Sequence, residues 1–252
     1  MDFTIEKYTS LLEALIRQKY TFQTFQEYLT EPTAKSVVLR HDVDDLPENS
    51  LRFARIQNGL GINGVYYFRA VSQSWDENII KEIASLGHEV GYHYETMDTA
   101  NGDLDLAWDQ FKNHLEELRK LVPVSTICMH GSPRSKFDNK DLWKKYDYKS
   151  LKLLGEPYFD TDFNKVLYCT DTGRRWDGDK VSVRDKVQTN FKFSFHSTSD
   201  IILALNNSEL PDQIMFNFHP QRWHDNVVKW SKEIMVQNLK NIIKQMFFVR
   251  GN

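Results

Sequence analysis

Three aspartates and a histidine close one short apolar run, Val37-Val38-Leu39-Arg40-His41-Asp42-Val43-Asp44-Asp45. The apolar part reads as a buried strand. Burying several carboxylates costs several kcal/mol each unless something neutralises them. A divalent cation would do so; so would a proton or a basic neighbour. Asp42 and Asp44 alternate, so in an extended segment both point the same way. Two carboxylates aimed at one spot suit a metal ligand and a base. Asp45 reads instead as an ordinary loop or helix-start acid.

Other groups of the same kind sit at the ends of other apolar runs. His93 and Glu95 end one, and they share a parity. His130 follows a second, His196 a third and His219 a fourth. His88 has the opposite parity to His93 and reads as structural. With His41, five of the eight histidines stand at or just after an expected strand end. In parallel α/β sheets and barrels those ends share one face, where sites form. His219 precedes Pro220, which holds its backbone extended. That suits a fixed catalytic imidazole.

The elements that must position these groups follow from periodicity. Residues 5–29 carry apolar positions at helical spacing and predict one or two outer helices, closed by Pro32. After the strand Val37–Leu39, Pro47 and Glu48 start a helix that Gly59 and Gly61 end. A strand Val65–Phe68 follows, then a helix Glu77–Leu86 capped by Asp76 and stopped at Gly87. A third strand spans His88–His93. Asp103 opens a long helix closed by Pro123, and Ser125–Met129 is a fourth strand. Residues 140–187 predict short strands among long loops. Phe191–Phe195 alternates as a strand, with a helix Asp200–Asn206 capped by Ser199. Gln213–Phe218 is the last strand, and a helix runs from about Trp230 to Phe248. Successive strand–loop–helix units predict a parallel sheet with helical crossovers. The expected fold class is α/β, an irregular (β/α) barrel, as one domain over 1–252 with an N-terminal helical segment 1–32.

Composition narrows the partners. A net charge of −3 with mixed signs offers no broad basic field for nucleic acid or anionic membrane. No apolar run approaches the roughly 20 residues that span a bilayer. The start, Met1 to Lys7, lacks the pattern of a signal peptide, so a cytoplasmic location is expected. Cys128 and Cys169 sit in apolar surroundings and read as buried free thiols. The partner expected is a small molecule or a glycan.

The order Arg40-His41-Asp42-Val43-Asp44, then Gly87-His88-Glu89-Val90-Gly91-Tyr92-His93, then Phe218-His219-Pro220 resembles the polysaccharide deacetylase superfamily, which contains carbohydrate esterase family 4. The resemblance covers roughly Val37 to His219. It implies a metal-dependent amide or ester hydrolase on an irregular (β/α) barrel. It implies Asp42 as catalytic base, Asp44 and His93 as metal ligands and His219 as general acid. Pro133 falls near the family's third motif and Arg175-Trp176-Asp177 near its fourth. One position departs: the family's second motif puts another histidine four residues after the first, and here that residue is Met97. A thioether is a poor ligand for hard or borderline divalent ions. Glu95 is expected to fill the gap, with His130 or His196 as alternatives; the implied ion is zinc.

The reaction this implies is deacetylation of an N- or O-acetylated carbohydrate. Trp176, Trp223 and Tyr94 are candidates to stack on a sugar face. Arg175, with Arg40, Arg134, Arg174 and Arg222, is a candidate to bind a phosphate or carboxylate. Competing readings are hydrolysis of a non-sugar linear amide, a carbohydrate-binding protein that has lost its metal, and an aspartate-nucleophile phosphatase. The last ranks low, because Leu46 stands where that motif needs threonine or valine and the histidines go unexplained.

Overall fold

The computed structural model describes residues 1–132, 135–176 and 185–244. Pro133, Arg134 and Asp177 lie outside the described residues, as does the end of the expected C-terminal helix. Among the described residues, seven strands form one parallel sheet: β1 (Thr21–Gln23), β2 (Ser36–Val43), β3 (Val65–Phe68), β4 (Glu89–Tyr94), β5 (Ile127–Met129), β6 (Leu167–Thr170) and β7 (Gln213–Phe218). The order is β5-β4-β3-β2-β7-β6, with β1 pairing the first residues of β2 and β3 the last. Helices connect the strands: α1 (Ile5–Arg17), α2 (Phe25–Thr30), α3 (Pro47–Gly59), α4 (Glu77–Ser85), α5 (Thr96–Thr99), α6 (Leu104–Arg119), α7 (Pro157–Asp160), α8 (Thr198–Asn206) and α9 (Val227–Lys244). The curled sheet and the helices around it make an irregular (β/α) half-barrel, with β2 in the middle of the strand order.

Helix starts follow local chemistry. Asp76 accepts the N–H groups of Asn78 and Ile79 at the start of α4, and Asp103 does the same for Asp105 and Leu106 at α6. Ser197, not Ser199, caps α8 in a reciprocal box with Asp200. The N-terminal segment is not wholly helical: β1 lies between α1 and α2.

Phe191–Phe195 is not a strand. Both edges of β7, the strand that follows it, are occupied by β2 and by β6. The rings of the Phe191–Phe195 run pack on each other instead, Phe191 on Phe193 and Phe193 on Phe195, at 6.2 and 5.6 Å.

Strand alternation divides the molecule into two unequal interiors. Val37, Leu39 and Val43 of β2, Tyr66 and Phe68 of β3, Val90, Tyr92 and Tyr94 of β4, and Ile214, Phe216 and Phe218 of β7 join the large apolar core that the helices cover. The residues between them face the other way. There Val38, Val65, Tyr67, Cys128 and Met215 form a small apolar cluster. Arg40, Asp42, His93 and Asn217 have the same parity and are buried too. The strand that looks continuously apolar therefore has one apolar and one charged face.

Gly91 is required by this arrangement. A Cβ there would lie 2.3 Å from the Tyr67 ring and 2.8 Å from the Thr126 carbonyl oxygen. Its absence lets Tyr67 lie across the inner face and place its hydroxyl 3.0 Å from Thr126 Oγ1.

Candidate active site

Arg40 and Asp42 sit two residues apart on the inner face of β2. Arg40 grips both carboxylate oxygens, Nε to Oδ1 at 2.8 Å and Nη2 to Oδ2 at 2.7 Å. Asn217 of β7 adds an N–H to Oδ2 at 3.2 Å. Burial alone would raise the Asp42 pKa; the guanidinium, with His93 and His219 nearby, outweighs it and holds the carboxyl below its usual value. Arg40 is itself almost fully buried and lies over the Tyr158 ring. It is committed to Asp42 and is not available to a substrate anion.

Asp44 leaves the strand with its parity intact. Its Oδ2 accepts from Gln221 at 3.1 Å, whereas Oδ1 is buried and makes no hydrogen bond. That orphaned oxygen faces two imidazole nitrogens: His93 Nε2 at 3.5 Å and His130 Nε2 at 3.7 Å. Burial would raise the Asp44 pKa, but the three histidines around it hold the carboxyl well below the ordinary range. Donors bound at about 2.0–2.1 Å to one tetrahedral ion stand about 3.3–3.5 Å apart. The orphaned oxygen, the donor types and the distance from that oxygen to each nitrogen are compatible with a divalent ion.

His93 is oriented for that place. Its Nδ1 donates to the Cys128 carbonyl at 2.9 Å, which leaves Nε2 to face the aspartates. A second grouping, Asp42, His93 and Cys128, also brings ligand atoms within 4.8 Å of one another. It is the poorer set. Both Asp42 oxygens are already held by Arg40, and the buried Cys128 thiol has its pKa pushed well up by desolvation.

His219 follows β7 and stands across from these groups. Its Nε2 lies 4.0 Å from Asp42 Oδ2 and 3.9 Å from Asp44 Oδ2. Its Nδ1 lies 2.5 Å from Asp171 Oδ1, and its backbone N–H also donates to Asp171. Asp171 is fully buried and takes a further N–H from Trp223 at 2.6 Å. Burial opposes its charge, but His219 and Arg222 hold it ionised. Asp171 is the residue the sequence reading missed. It directly follows β6, so it repeats the pattern of an acid at a strand end, in a region read only as short strands and loops.

The remaining candidates fall in different places. Glu95 does not face the ion site with free oxygens: Arg69 donates to both, at 3.1 and 2.8 Å, and His130 Nδ1 lies 2.9 Å from Oε2. His196 is exposed at the entrance to α8, where its backbone N–H donates to Asp200. Tyr94 and Trp223 are buried, and Trp176 nearly so. Tyr94 accepts from Trp143, while Trp176 donates to Thr198 and packs on Phe216 and Phe218. Their faces are covered by protein, so in this structure they are core residues and not a sugar platform. Arg175 is half-buried in the turn after β6. Arg174 donates to the Trp230 carbonyl and Arg222 to Asp171.

His41, His88 and His114 lie away from the chemistry. His41 points into the helix-covered core, stacked on Tyr66 and bonded to the Val65 carbonyl, and burial lowers its pKa to about 3. His88 accepts from the Gly64 N–H and reaches the Ala54 carbonyl. His114 meets the Tyr92 hydroxyl at 2.8 Å.

No family model and no curated protein matches this sequence. Solved structures do. A CE4 family pseudoenzyme from Bacillus anthracis matches 83% of this chain at 14% identity with a TM-score of 0.46. This chain spans 63% of that protein's length. The catalytic domain of a peptidoglycan N-acetylglucosamine deacetylase from Eubacterium rectale matches 84% of this chain, with 87% of its own length covered, at 13% identity and a TM-score of 0.46. A CE4 esterase from Streptococcus mutans matches 90%, with 89% of its own length covered, at 12% identity and a TM-score of 0.44. Among the described residues, no helix is long and apolar enough to cross a membrane.

Proposed function

We propose that this chain is a metal-dependent hydrolase that removes an acetyl group from an acetylated carbohydrate or sugar conjugate. One observation carries the reading. Asp42 and His219 are each locked by a buried partner, and His219 Nε2 stands within 4.0 Å of both Asp42 and Asp44, whose Oδ1 makes no hydrogen bond.

Asp44 and His93 are the residues that would hold a divalent ion. Such an ion supplies an acidified water and a Lewis acid for the acetyl carbonyl. Asp42, kept ionised by Arg40, is a weak base and suits a water that is already acidic. It takes the proton as the water oxygen bonds to the carbonyl carbon. His219 gives the proton on Nε2 to the departing nitrogen or oxygen as its bond to that carbon breaks. Asp171 behind Nδ1 stabilises the imidazolium that must precede this transfer. The products are acetate and the free amine or alcohol.

The test is acetate release from a panel of N- and O-acetylated sugars and linear amides, with metal content measured alongside. Turnover of acetylated sugars that Asp42→Asn and His219→Ala abolish supports the reading. Turnover of linear amides alone replaces the substrate class. Glycan binding without turnover in metal-loaded protein overturns the catalytic assignment.

A further inference from the structure

We infer that His130 is the third metal ligand, delivered from the end of β5 and held by Glu95 and Arg69 as positioning residues. This rests on the metal-dependent reading above.

The position four residues after His93 is not at the site. The inner-face alternation of β4 carries through His93 and Glu95, but α5 begins at Thr96 and ends it. Met97 is therefore turned into the apolar core, and its N–H is held by Asn139 Oδ1 at 3.0 Å. A histidine there would have to bury its ring among aliphatic and aromatic neighbours.

His130 arrives by a different route. It shares the parity of Cys128, which faces the inner side of β5. Its backbone is fixed from both directions: its N–H donates to the Tyr94 carbonyl at 2.8 Å, and Asn139 donates to its carbonyl at 2.8 Å. The ring meets His93 edge-on, with centroids 5.2 Å apart.

Behind the ring, Glu95 Oε2 lies 2.9 Å from Nδ1, while Nε2 on the other side stands 3.7 Å from Asp44 Oδ1. Arg69 donates to both Glu95 oxygens and, through Nη1, to the Asp44 backbone carbonyl at 3.1 Å. One guanidinium thus ties the loop that carries one ligand to the carboxylate that orients another. A carboxylate backing an imidazole that faces an orphaned acid is the usual support of a metal-bound histidine. The competing account is a plain salt link, Glu95–His130–Asp44, with no ion.

Zinc affinity by chelator competition separates these accounts, with circular dichroism as a check of folding. The parent protein should bind one ion per chain. His130→Ala should weaken binding by about 100-fold or more, and Glu95→Gln by about 10–100-fold. Met97→His should give no gain. His130→Cys loaded with cobalt should gain a thiolate-to-metal charge-transfer band that the parent lacks, a signal only a ligand at that position creates. Parent affinity retained in both His130→Ala and Glu95→Gln, or no new band in a folded His130→Cys protein, overturns the assignment of His130 alone. A charge-transfer band in the parent would assign Cys128 instead. No ion bound by the parent would overturn the metal-dependent reading and this inference together.

Discussion

His219 Nδ1 lies 2.5 Å from Asp171 Oδ1, although the two residues come from different strand ends and are 48 positions apart. The same carboxylate holds the His219 backbone N–H and the Trp223 indole. The ring therefore has one orientation, with Nε2 turned toward Asp42 and Asp44. Asp171→Asn keeps the shape and removes the charge. It should lower kcat by about 100-fold or more with metal content unchanged. Acetate release and elemental analysis on the same sample check this; unchanged kcat would remove His219 from the role of acid.

Arg40 and Asp42 form a buried pair whose partners are each exposed by 5% or less. Removing one member strands the other. Arg40→Met should destabilise the fold by about 3–5 kcal/mol, read from urea unfolding. Replacing both residues with apolar ones should cost less than the single change. A single-variant loss below about 1 kcal/mol would mean the pair is solvated on opening and contributes little.

Glu156 gives a pH signature. It is fully buried, and burial raises its pKa from 4.5 to about 7 against the N–H donors of Met129 and Tyr158 and the charge of Arg40. The folded state thus binds this proton more tightly than the unfolded chain. Its contribution to stability is complete below pH 4.5 and is lost as pH rises through about 7. Glu89, raised likewise to about 7 by burial, acts in the same window. Unfolding free energy should fall across that window by up to about 3 kcal/mol per group. Glu156→Gln should remove its share of the slope, and an unchanged slope would contradict the assignment. Glu95, pulled down to about 2 by His130 and Arg69 against its burial, acts in the opposite sense, losing its contribution as pH falls from 4.5 toward 2.

Gly91→Ala places a methyl 2.3 Å from the Tyr67 ring. A cost of about 1–3 kcal/mol is expected. Tyr67→Leu should recover part of it, which a double-mutant cycle of unfolding free energies would show as a coupling. Strict additivity would mean the clash is relieved elsewhere.

Much of this was legible in the sequence because strand parity is a local rule. Asp42, Asp44 and His93 could be placed on one face from alternation alone, and His219 from Pro220 and the strand before it. The parallel strands 2 to 5 and 7 announced themselves by apolar runs between capped helices. What was not legible was pairing across the sheet. Arg40 looked like a candidate for a substrate anion until its register beside Asn217 and its bond to Asp42 were seen. Asp171 was hidden in a loop-rich stretch, since nothing in its neighbours says that β6 ladders onto β7. Trp176 and Trp223 stood near site loops in sequence, but their rings fill the helix-covered core. Phe191–Phe195 had the alternation of a strand but stacks its rings on one another outside the sheet.

The two-faced character of β2 has a consequence for how the chain can change over time. Substitutions on either face are local events, but a one-residue insertion or deletion within β2, between Ser36 and Arg40, is not. It would turn Arg40 and Asp42 toward Tyr8 and Phe53, and bring Leu39 and His41 to the polar side. Length in that segment is thus under tighter constraint than identity. Lineages of this fold should tolerate varied residues there and almost no change in spacing.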